Sequence, residues 1–298
     1  MPDRLDAPTE LSIVAGDGVE LDGEESGPAR PGDDSDPARP GTPIVLLHGL
    51  TATRRYVVMG SRTLERSGLR VIGYDARGHG RSSAASNPAA YDYEDLARDL
   101  GAVLDALGLE RAILAGASMG AHTALRFALR NPARVAALGL ITPSFDPDRP
   151  PDAETLTNWD DLAEGLRERG VEGFVEAYDF SGLPGEWRGT VERVVRQRLA
   201  AHKHPEAVAD ALAVVPRSRP FERIADLADI EVPTVVVASR DEADPGHPLA
   251  VGERYARTIP AARLIVEDPG VGGHPIRSPI AWQGGQLSKV LTELTAHT

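Results

Sequence analysis

A serine between two glycines is the first place where the sequence indicates catalytic chemistry. Residues 116–120 read Gly-Ala-Ser-Met-Gly and fit the Gly-x-Ser-x-Gly pattern, in which the serine hydroxyl is a nucleophile. The apolar run Ala112–Ala115 predicts a strand, and Ala121–Arg130 predicts a helix. The turn between them places the serine at a helix N-terminus, where the free Met119 amide can stabilise an oxyanion. We therefore predict that Ser118 is a nucleophile.

The elements that must position this serine follow a regular order. Short apolar runs alternate with longer helical patterns, which is typical of a largely parallel sheet covered by helices. A helix is predicted over Tyr93–Leu107, because its leucines recur at helical spacing and Gly108 ends the pattern. The predicted strands are Leu11–Val14, Ile44–Leu47, Arg70–Tyr74, Ala112–Ala115, Val135–Ile141, Thr234–Ala238 and Arg263–Val266.

Two segments interrupt the alternation. Residues 23–43 are rich in Gly, Pro, Asp and Ser and are expected to form a mobile loop. Residues 145–231 show helical patterns and no convincing strand, and they are too long for a simple connection. The predicted organisation is an α/β core formed by residues 1–144 and 233–298, with a helical cap at 145–232 inserted between its two parts.

The composition narrows the chemistry. Cysteine is absent, which excludes disulfides, thiolate nucleophiles and cysteine-bound metals. The net charge of −13 repels nucleic acid and anionic membranes, so neither is expected as a partner. No apolar run approaches the roughly 18 residues that cross a bilayer, and the first residues do not read as a signal peptide. A cytoplasmic protein without cofactor or metal is expected.

Two further motifs carry a resemblance to a known family. Residues 44–50 read Ile-Val-Leu-Leu-His-Gly-Leu, and residues 74–82 read Tyr-Asp-Ala-Arg-Gly-His-Gly-Arg-Ser. Together with the serine motif, they resemble the α/β-hydrolase superfamily over nearly the whole chain from about Ile44 onward. The resemblance implies an α/β-hydrolase fold with a mostly parallel twisted sheet. It also implies that the Leu50 amide completes an oxyanion hole with Met119. His48 and His79 are expected to be turn residues bonded to the backbone.

The resemblance also implies where the other two residues of a catalytic triad lie along the chain. A serine needs a base within hydrogen-bond distance, and the family order of nucleophile, acid and histidine places that base after the last strand. His274 follows the predicted strand Arg263–Val266 in a loop that contains glycine, so the resemblance implies His274 as the base. Among the other histidines, His247 is the rival.

The acid is expected in the loop after the strand Thr234–Ala238. Counting forward from the end of that strand favours Asp241. Counting back from the next strand favours Asp244, and residues 244–248, Asp-Pro-Gly-His-Pro, also look like the family's Asp-Pro-x-x-Pro ending. We predict Asp244 as the acid and keep Asp241 as the alternative. The acid would hold the imidazole in the required tautomer and stabilise the imidazolium.

The expected activity is that of a serine hydrolase that cleaves carboxylic esters or lactones of small to medium-sized molecules through an acyl-enzyme. Residues 221–233 also resemble those of enol-lactonases. Carbon–carbon bond hydrolases and cofactor-free haloperoxidases use the same triad, whereas a catalytically silent ligand-binding protein would keep only the fold. The cap is expected to select the substrate. Surface positions are expected for His202, His204, Arg188, Arg193, Arg196 and Arg198 of the cap.

Overall fold

The computed structural model describes residues 7–27, 42–181, 183, 185–240, 244, 246–266, 282 and 284–295. The strands are β1 (Thr9–Val14), β2 (Glu20–Ser26), β3 (Ile44–Leu47), β4 (Val71–Tyr74), β5 (Ala112–Ala117), β6 (Val135–Ile141), β7 (Thr234–Ala238) and β8 (Ala262–Val266). The helices are α1 (Thr63–Arg66), α2 (Tyr93–Ala106), α3 (Met119–Arg130), α4 (Ala153–Ala177), α5 (Gly185–Leu199), α6 (Pro205–Val214), α7 (Leu249–Thr258) and α8 (Gly284–Thr295). Short 3-10 segments lie at Arg54–Tyr56, Pro132–Arg134, Val215–Arg217 and Ile224–Asp229.

All eight strands form one sheet in the order β1-β2-β4-β3-β5-β6-β7-β8. The pairings of β2 with β1 and with β4 are antiparallel, and the pairings from β4 through β3, β5, β6 and β7 to β8 are parallel. The predicted α/β-hydrolase fold with its mostly parallel sheet is therefore confirmed. Because the carboxyl ends of parallel strands meet at one edge, the loops after β3, β5, β6, β7 and β8 open towards the same side.

Helices cover both faces of this sheet. Every residue of β3, β4, β6 and β7 is buried, as expected for central strands packed on both sides. Successive side chains of a strand point to opposite faces, so Leu114 packs with residues of α2, α3 and α7, while its neighbour Ile113 packs with residues of α1 and α8. The sheet is thus a rigid platform for the loops at its carboxyl edge.

Helices α4, α5 and α6 lie between β6 and β7, and residues 145–231 contain no strand in their described part. Helices α4 and α6 pack together through buried side chains that include Leu166 and Leu212. The backbone of α4 bends at Gly170, where φ is 60°. The bend brings its two halves so close that a Cβ on Gly165 would lie 2.4 Å from the carbonyl oxygen of Gly173.

The prediction of a loop beginning at residue 23 is wrong at its start. Strand β2 continues to Ser26. Its residues 23–26 pair with β4, and residues 23–25 also pair with β1. Glycine at position 23 permits this, because a Cβ there would lie 2.9 Å from the carbonyl oxygen of Gly73. Glu25 then forms a buried ion pair with Arg70, with 2.8 Å between Oε1 and Nε. Residues 28–41 of the predicted loop lie outside the described residues.

None of the helices in the described part of the chain is long and apolar enough to cross a membrane.

Candidate active site

Ser118 lies at the turn between β5 and α3 in a strained backbone conformation, with φ 50° and ψ −113°. Two glycines make the turn possible. A Cβ on Gly116 would lie 2.2 Å from the carbonyl carbon of Gly120, and a Cβ on Gly120 would lie 2.1 Å from the carbonyl oxygen of Leu47. Both distances are far below contact, so the backbone can close this turn only where side chains are absent. The turn presents the serine hydroxyl at the carboxyl edge of the sheet.

A histidine and a carboxylate lie next to the serine and form a chain of hydrogen bonds with it. His247 Nε2 lies 2.9 Å from Ser118 Oγ, and His247 Nδ1 lies 2.8 Å from Asp244 Oδ1. The carboxylate accepts from the Nδ1–H, which leaves Nε2 free to accept the serine proton; this tautomer is assigned from the partners. Local structure explains the pairing, because the His247 amide donates to the Asp244 carbonyl at 3.1 Å and closes a tight turn before α7.

The structure therefore brings Ser118 and the predicted acid Asp244 together through His247. The predicted base His274 and the alternative acid Asp241 both lie outside the described residues. A histidine three residues after the acid was visible in the sequence. What the sequence did not show is that the turn between them directs the imidazole to Ser118.

The loop after β3 lies directly beside the nucleophile. A Cβ on Gly49 would lie 3.3 Å from the carbonyl oxygen of Ala117 and 3.5 Å from the Cβ of Ser118. The backbone amides of Leu50 and Met119 donate to no other described residue. An unpaired amide beside a nucleophile is the feature that an oxyanion hole requires.

The turn at residues 75–82 contacts the loop after β3 and holds it in place. The Asp75 carboxylate accepts hydrogen bonds from the Arg54 amide at 2.9 Å and the Arg81 amide at 3.2 Å. His48 donates from Nδ1 to the Gly49 carbonyl and accepts the Ala76 amide at Nε2, both at 2.8 Å. Burial lowers the pKa of His48, so the ring stays neutral. The predicted structural role of His48 is confirmed.

His79 has the same kind of role. Its Nδ1 lies 2.9 Å from the carbonyl oxygen of Arg77, and burial lowers its pKa well below the ordinary value. Arg77 is itself buried and bonded to both oxygens of Asp99, at 2.6 and 2.7 Å. The backbone contact predicted for His79 is confirmed.

His122 is a buried residue of α3 whose role the sequence did not reveal. Its Nε2 accepts hydrogen bonds from the amides of Ser144 at 3.1 Å and Phe145 at 3.2 Å, and its Nδ1 lies 3.0 Å from Tyr93 Oη. Burial lowers the pKa of His122 to about 3, so the imidazole is neutral. It fixes the turn after β6, one helical turn away from Ser118.

Two residues near the end of α5 also differ from the expectation of a surface position. His202 is buried at 8% exposure. Arg198 is half-buried, and its Nε atom is fully buried with no hydrogen-bond partner among the described residues. Both side chains contact the loop at Leu50 and Thr51. Helical periodicity does not show this, because the contacts join segments about 150 residues apart.

Comparison with known proteins identifies the class of protein. A model of the alpha/beta hydrolase fold matches residues 42–178. A protein of Variovorax paradoxus that is provisionally named a carbamate hydrolase is 33% identical over 201 residues, covering 67% of this chain and 74% of that protein. A 2-hydroxy-6-oxononadienedioate/2-hydroxy-6-oxononatrienedioate hydrolase of Pseudomonas putida is 34% identical over 236 residues, covering 75% of this chain and 78% of that enzyme. The chain belongs to the α/β-hydrolase family.

A solved structure extends the likeness to almost the full length. The thermophilic esterase of Thermogutta terrifontis, in a malate-bound form, superimposes with a TM-score of 0.74 at 26% identity and covers 97% of this chain and 100% of that chain. The relatives and the fold together identify the chain as a hydrolase.

Proposed function

We propose that this hydrolase cleaves carboxylic esters or lactones of small to medium-sized molecules through an acyl-enzyme on Ser118. The observation that carries the proposal is the strained Ser118 together with Asp244, which lie close enough for one imidazole to contact both: that of His247 lies 2.9 Å from Ser118 Oγ and 2.8 Å from Asp244 Oδ1. This order of groups is what activates a serine hydroxyl at neutral pH. The likeness to the T. terrifontis esterase supports an ester as the substrate.

The reaction follows from the groups in place. The histidine base takes the proton of Ser118 Oγ as this oxygen attacks the carbonyl carbon, and the negative charge that forms on the carbonyl oxygen is held by the Leu50 and Met119 amides. Asp244 stabilises the imidazolium. The carbon–oxygen bond to the leaving group then breaks, and the imidazolium returns the proton to the departing alcohol. Water repeats the sequence on the acyl-enzyme and releases the carboxylic acid.

Two histidines are candidates for the base. His247 is favoured by its contact with Ser118, whereas His274 is favoured by the order of the chain. The carboxyl end of β8 at Val266 lies at the same sheet edge as Ser118, because β5 to β8 are parallel neighbours. His247, in contrast, occupies a variable position of the Asp-Pro-x-x-Pro ending. We propose His274 as the base, with Asp244 as the acid, and keep His247 as the second candidate.

Carbon–carbon bond hydrolysis is the second candidate function, and one finding favours it. The P. putida relative is named as a hydrolase of 2-hydroxy-6-oxononadienedioate, a dicarboxylic acid, and it shares more than two thirds of its length with this chain. Both functions start from an activated carbonyl carbon, so the same serine and oxyanion hole would be used. They differ in the bond that breaks.

A panel of p-nitrophenyl esters of rising acyl length, together with a 2-hydroxy-6-oxodienoate, separates the two functions. We expect kcat/KM for the best ester to exceed the value for the dienoate by at least about tenfold, since each factor of ten corresponds to only about 1.4 kcal/mol of transition-state binding. The Ser118→Ala variant is the control for background hydrolysis. The opposite ranking of the two substrates would assign the chain to carbon–carbon hydrolysis, and no turnover of either would refute the proposal.

A further inference from the structure

Arg198 joins the inserted helices to the loop that carries Leu50. It lies in the last turn of α5, and its Nη2 donates to the Leu50 carbonyl at 3.0 Å and to Thr51 Oγ1 at 2.9 Å. Arg198 forms no ion pair with any carboxylate of the described residues. Burial lowers the pKa of its guanidinium. A half-buried cation that pairs with no carboxylate of the described residues is costly, so packing alone would be achieved at less cost by an apolar side chain.

His202 makes a second connection to the same loop. Its Nε2 lies 3.0 Å from the carbonyl oxygen of Thr51, and its Nδ1 accepts the amide of Gly80 at 2.8 Å. Since Nδ1 accepts, the ring proton lies on Nε2 and is donated to Thr51. The next residue, Lys203, donates its own amide to the Gly80 carbonyl at 2.8 Å. The end of α5 is thereby fixed to both the Leu50 loop and the turn at Gly80.

The acceptor of these bonds is a strained residue. Thr51 has φ 66°, in the left-handed region that a β-branched side chain rarely adopts. Such a conformation persists only where the surroundings hold it. Here the surroundings are the contacts of Arg198 and His202 with three acceptors, namely the Leu50 carbonyl, the Thr51 hydroxyl and the Thr51 carbonyl.

We infer that Arg198 and His202 are positioning residues that hold Thr51 in its strained conformation and thereby fix the Leu50 amide in the oxyanion hole. The inference rests on the proposed function, in which that amide binds the oxyanion. Its consequence is that the inserted helices determine the geometry of the catalytic step as well as the shape of the pocket. Loss of the contact should therefore slow the chemical step more than it weakens substrate binding.

Arg198→Met tests this, since it keeps the length of the side chain and removes its donors. Complete loss of one oxyanion donor lowers kcat by about 10²- to 10³-fold, and we expect displacement of the Leu50 amide to lower kcat by about tenfold or more. KM for the best p-nitrophenyl ester should change by less than about threefold, because uniform binding is retained. Arg196→Met is the matched control, since Arg196 lies on the same helix and pairs with Glu172 and Glu192 away from the loop.

A double-mutant cycle separates positioning from simple docking of the helices. Glycine adopts positive φ without steric cost, so the Arg198→Met effect on kcat should shrink to less than about threefold in the Thr51→Gly background. Arg198→Lys, which keeps one charged donor, should retain more activity than Arg198→Met, and it serves as the test variant if the methionine variant does not fold. An equal loss in both backgrounds, or a rise in KM with unchanged kcat, would overturn the inference.

Amide hydrogen exchange provides a readout that does not depend on turnover. In Arg198→Met, but not in Arg196→Met, the amide of Ala52, which donates to the Gly49 carbonyl at 3.0 Å, should exchange faster, because the loop opens more often. Unchanged exchange would overturn the inference. If the wild-type protein hydrolyses no ester, the proposed function fails, while the exchange experiment still decides whether Arg198 holds the loop.

Discussion

Replacing Asp244 by asparagine removes one charge from the centre of the candidate site and keeps the shape of the side chain. The structure shows how closely an imidazole N–H can approach this carboxylate, with 2.8 Å between Asp244 Oδ1 and His247 Nδ1, and we expect a similar distance for the proposed base His274. An asparagine can still occupy the position. It cannot attract the imidazolium that forms when the serine is deprotonated, and its amide can select the wrong tautomer.

The magnitude follows from the distance and the exposure. Unit charges about 4 Å apart attract each other by about 4 kcal/mol at an effective dielectric constant of about 20, and charge-assisted hydrogen bonds contribute about 1.5–3 kcal/mol. The Asp244 side chain is 30% exposed, so solvent screens part of this attraction. A loss of about 3–5 kcal/mol of transition-state stabilisation remains, which corresponds to a fall in kcat of about 10²- to 10⁴-fold.

The assay is steady-state hydrolysis of the best p-nitrophenyl ester by Asp244→Asn, with Asp241→Asn as the matched control from the same loop. Circular dichroism and thermal unfolding establish that both variants are folded. We expect the large loss in kcat for Asp244→Asn and a loss of less than about tenfold for Asp241→Asn, because only one carboxylate can meet the imidazole. The reverse ranking would move the acid to Asp241, and equal activity of both variants would refute the reasoning that this loop supplies the acid.

Three further perturbations test other parts of the account. His274→Gln should lower kcat by about 10³-fold or more, and His247→Gln by less than about tenfold; the reverse ranking in stopped-flow acylation rates would make His247 the base. Burial lowers the pKa of His202 to about 4, so the unfolded chain binds the extra proton first, and stability should fall by on the order of 3 kcal/mol as the pH drops from about 6.5 towards 4. Urea unfolding should show a shallower loss of stability for His202→Gln than for the half-buried control His204→Gln, and identical pH profiles would contradict this. Gly120→Ala should lower the free energy of unfolding by about 2 kcal/mol or more, since its Cβ would lie 2.1 Å from the Leu47 carbonyl oxygen. Gly189→Ala on α5 is the control, because its Cβ meets open space and should not destabilise the protein. If calorimetry finds Gly189→Ala to be the less stable variant, the close approach at Gly120 is contradicted.

The local parts of the site could be predicted because they are encoded in short segments. The apolar run of β5, the two glycines and the helix that follows together predict the strained turn at Ser118. The alternation of apolar and helical segments predicts the sheet for the same reason, since each strand is specified within a few residues. The resemblance contributed the order of the remaining residues.

The parts that could not be predicted depend on contacts between distant segments. Arg198 reads as one cation among several on a polar helix, yet its donors meet the Leu50 carbonyl across a separation of 148 residues. His202 and His122 are bonded in the same long-range way. The predicted start of the loop was wrong because a glycine at position 23 indicates a flexible segment when the sequence is considered alone. In the sheet, the missing side chain of Gly23 instead allows β2 to approach β4 closely.

The central claim is that Ser118 is the nucleophile, and covalent labelling with a fluorophosphonate tests it most directly. The serine oxygen would attack phosphorus with loss of fluoride, and peptide mass spectrometry would then locate the adduct. We predict a single adduct on the peptide that contains Ser118, formed more slowly while an excess of the best ester substrate is present and absent in Ser118→Ala. Labelling of another serine, or persistence of both the adduct and ester hydrolysis in Ser118→Ala, would contradict the account.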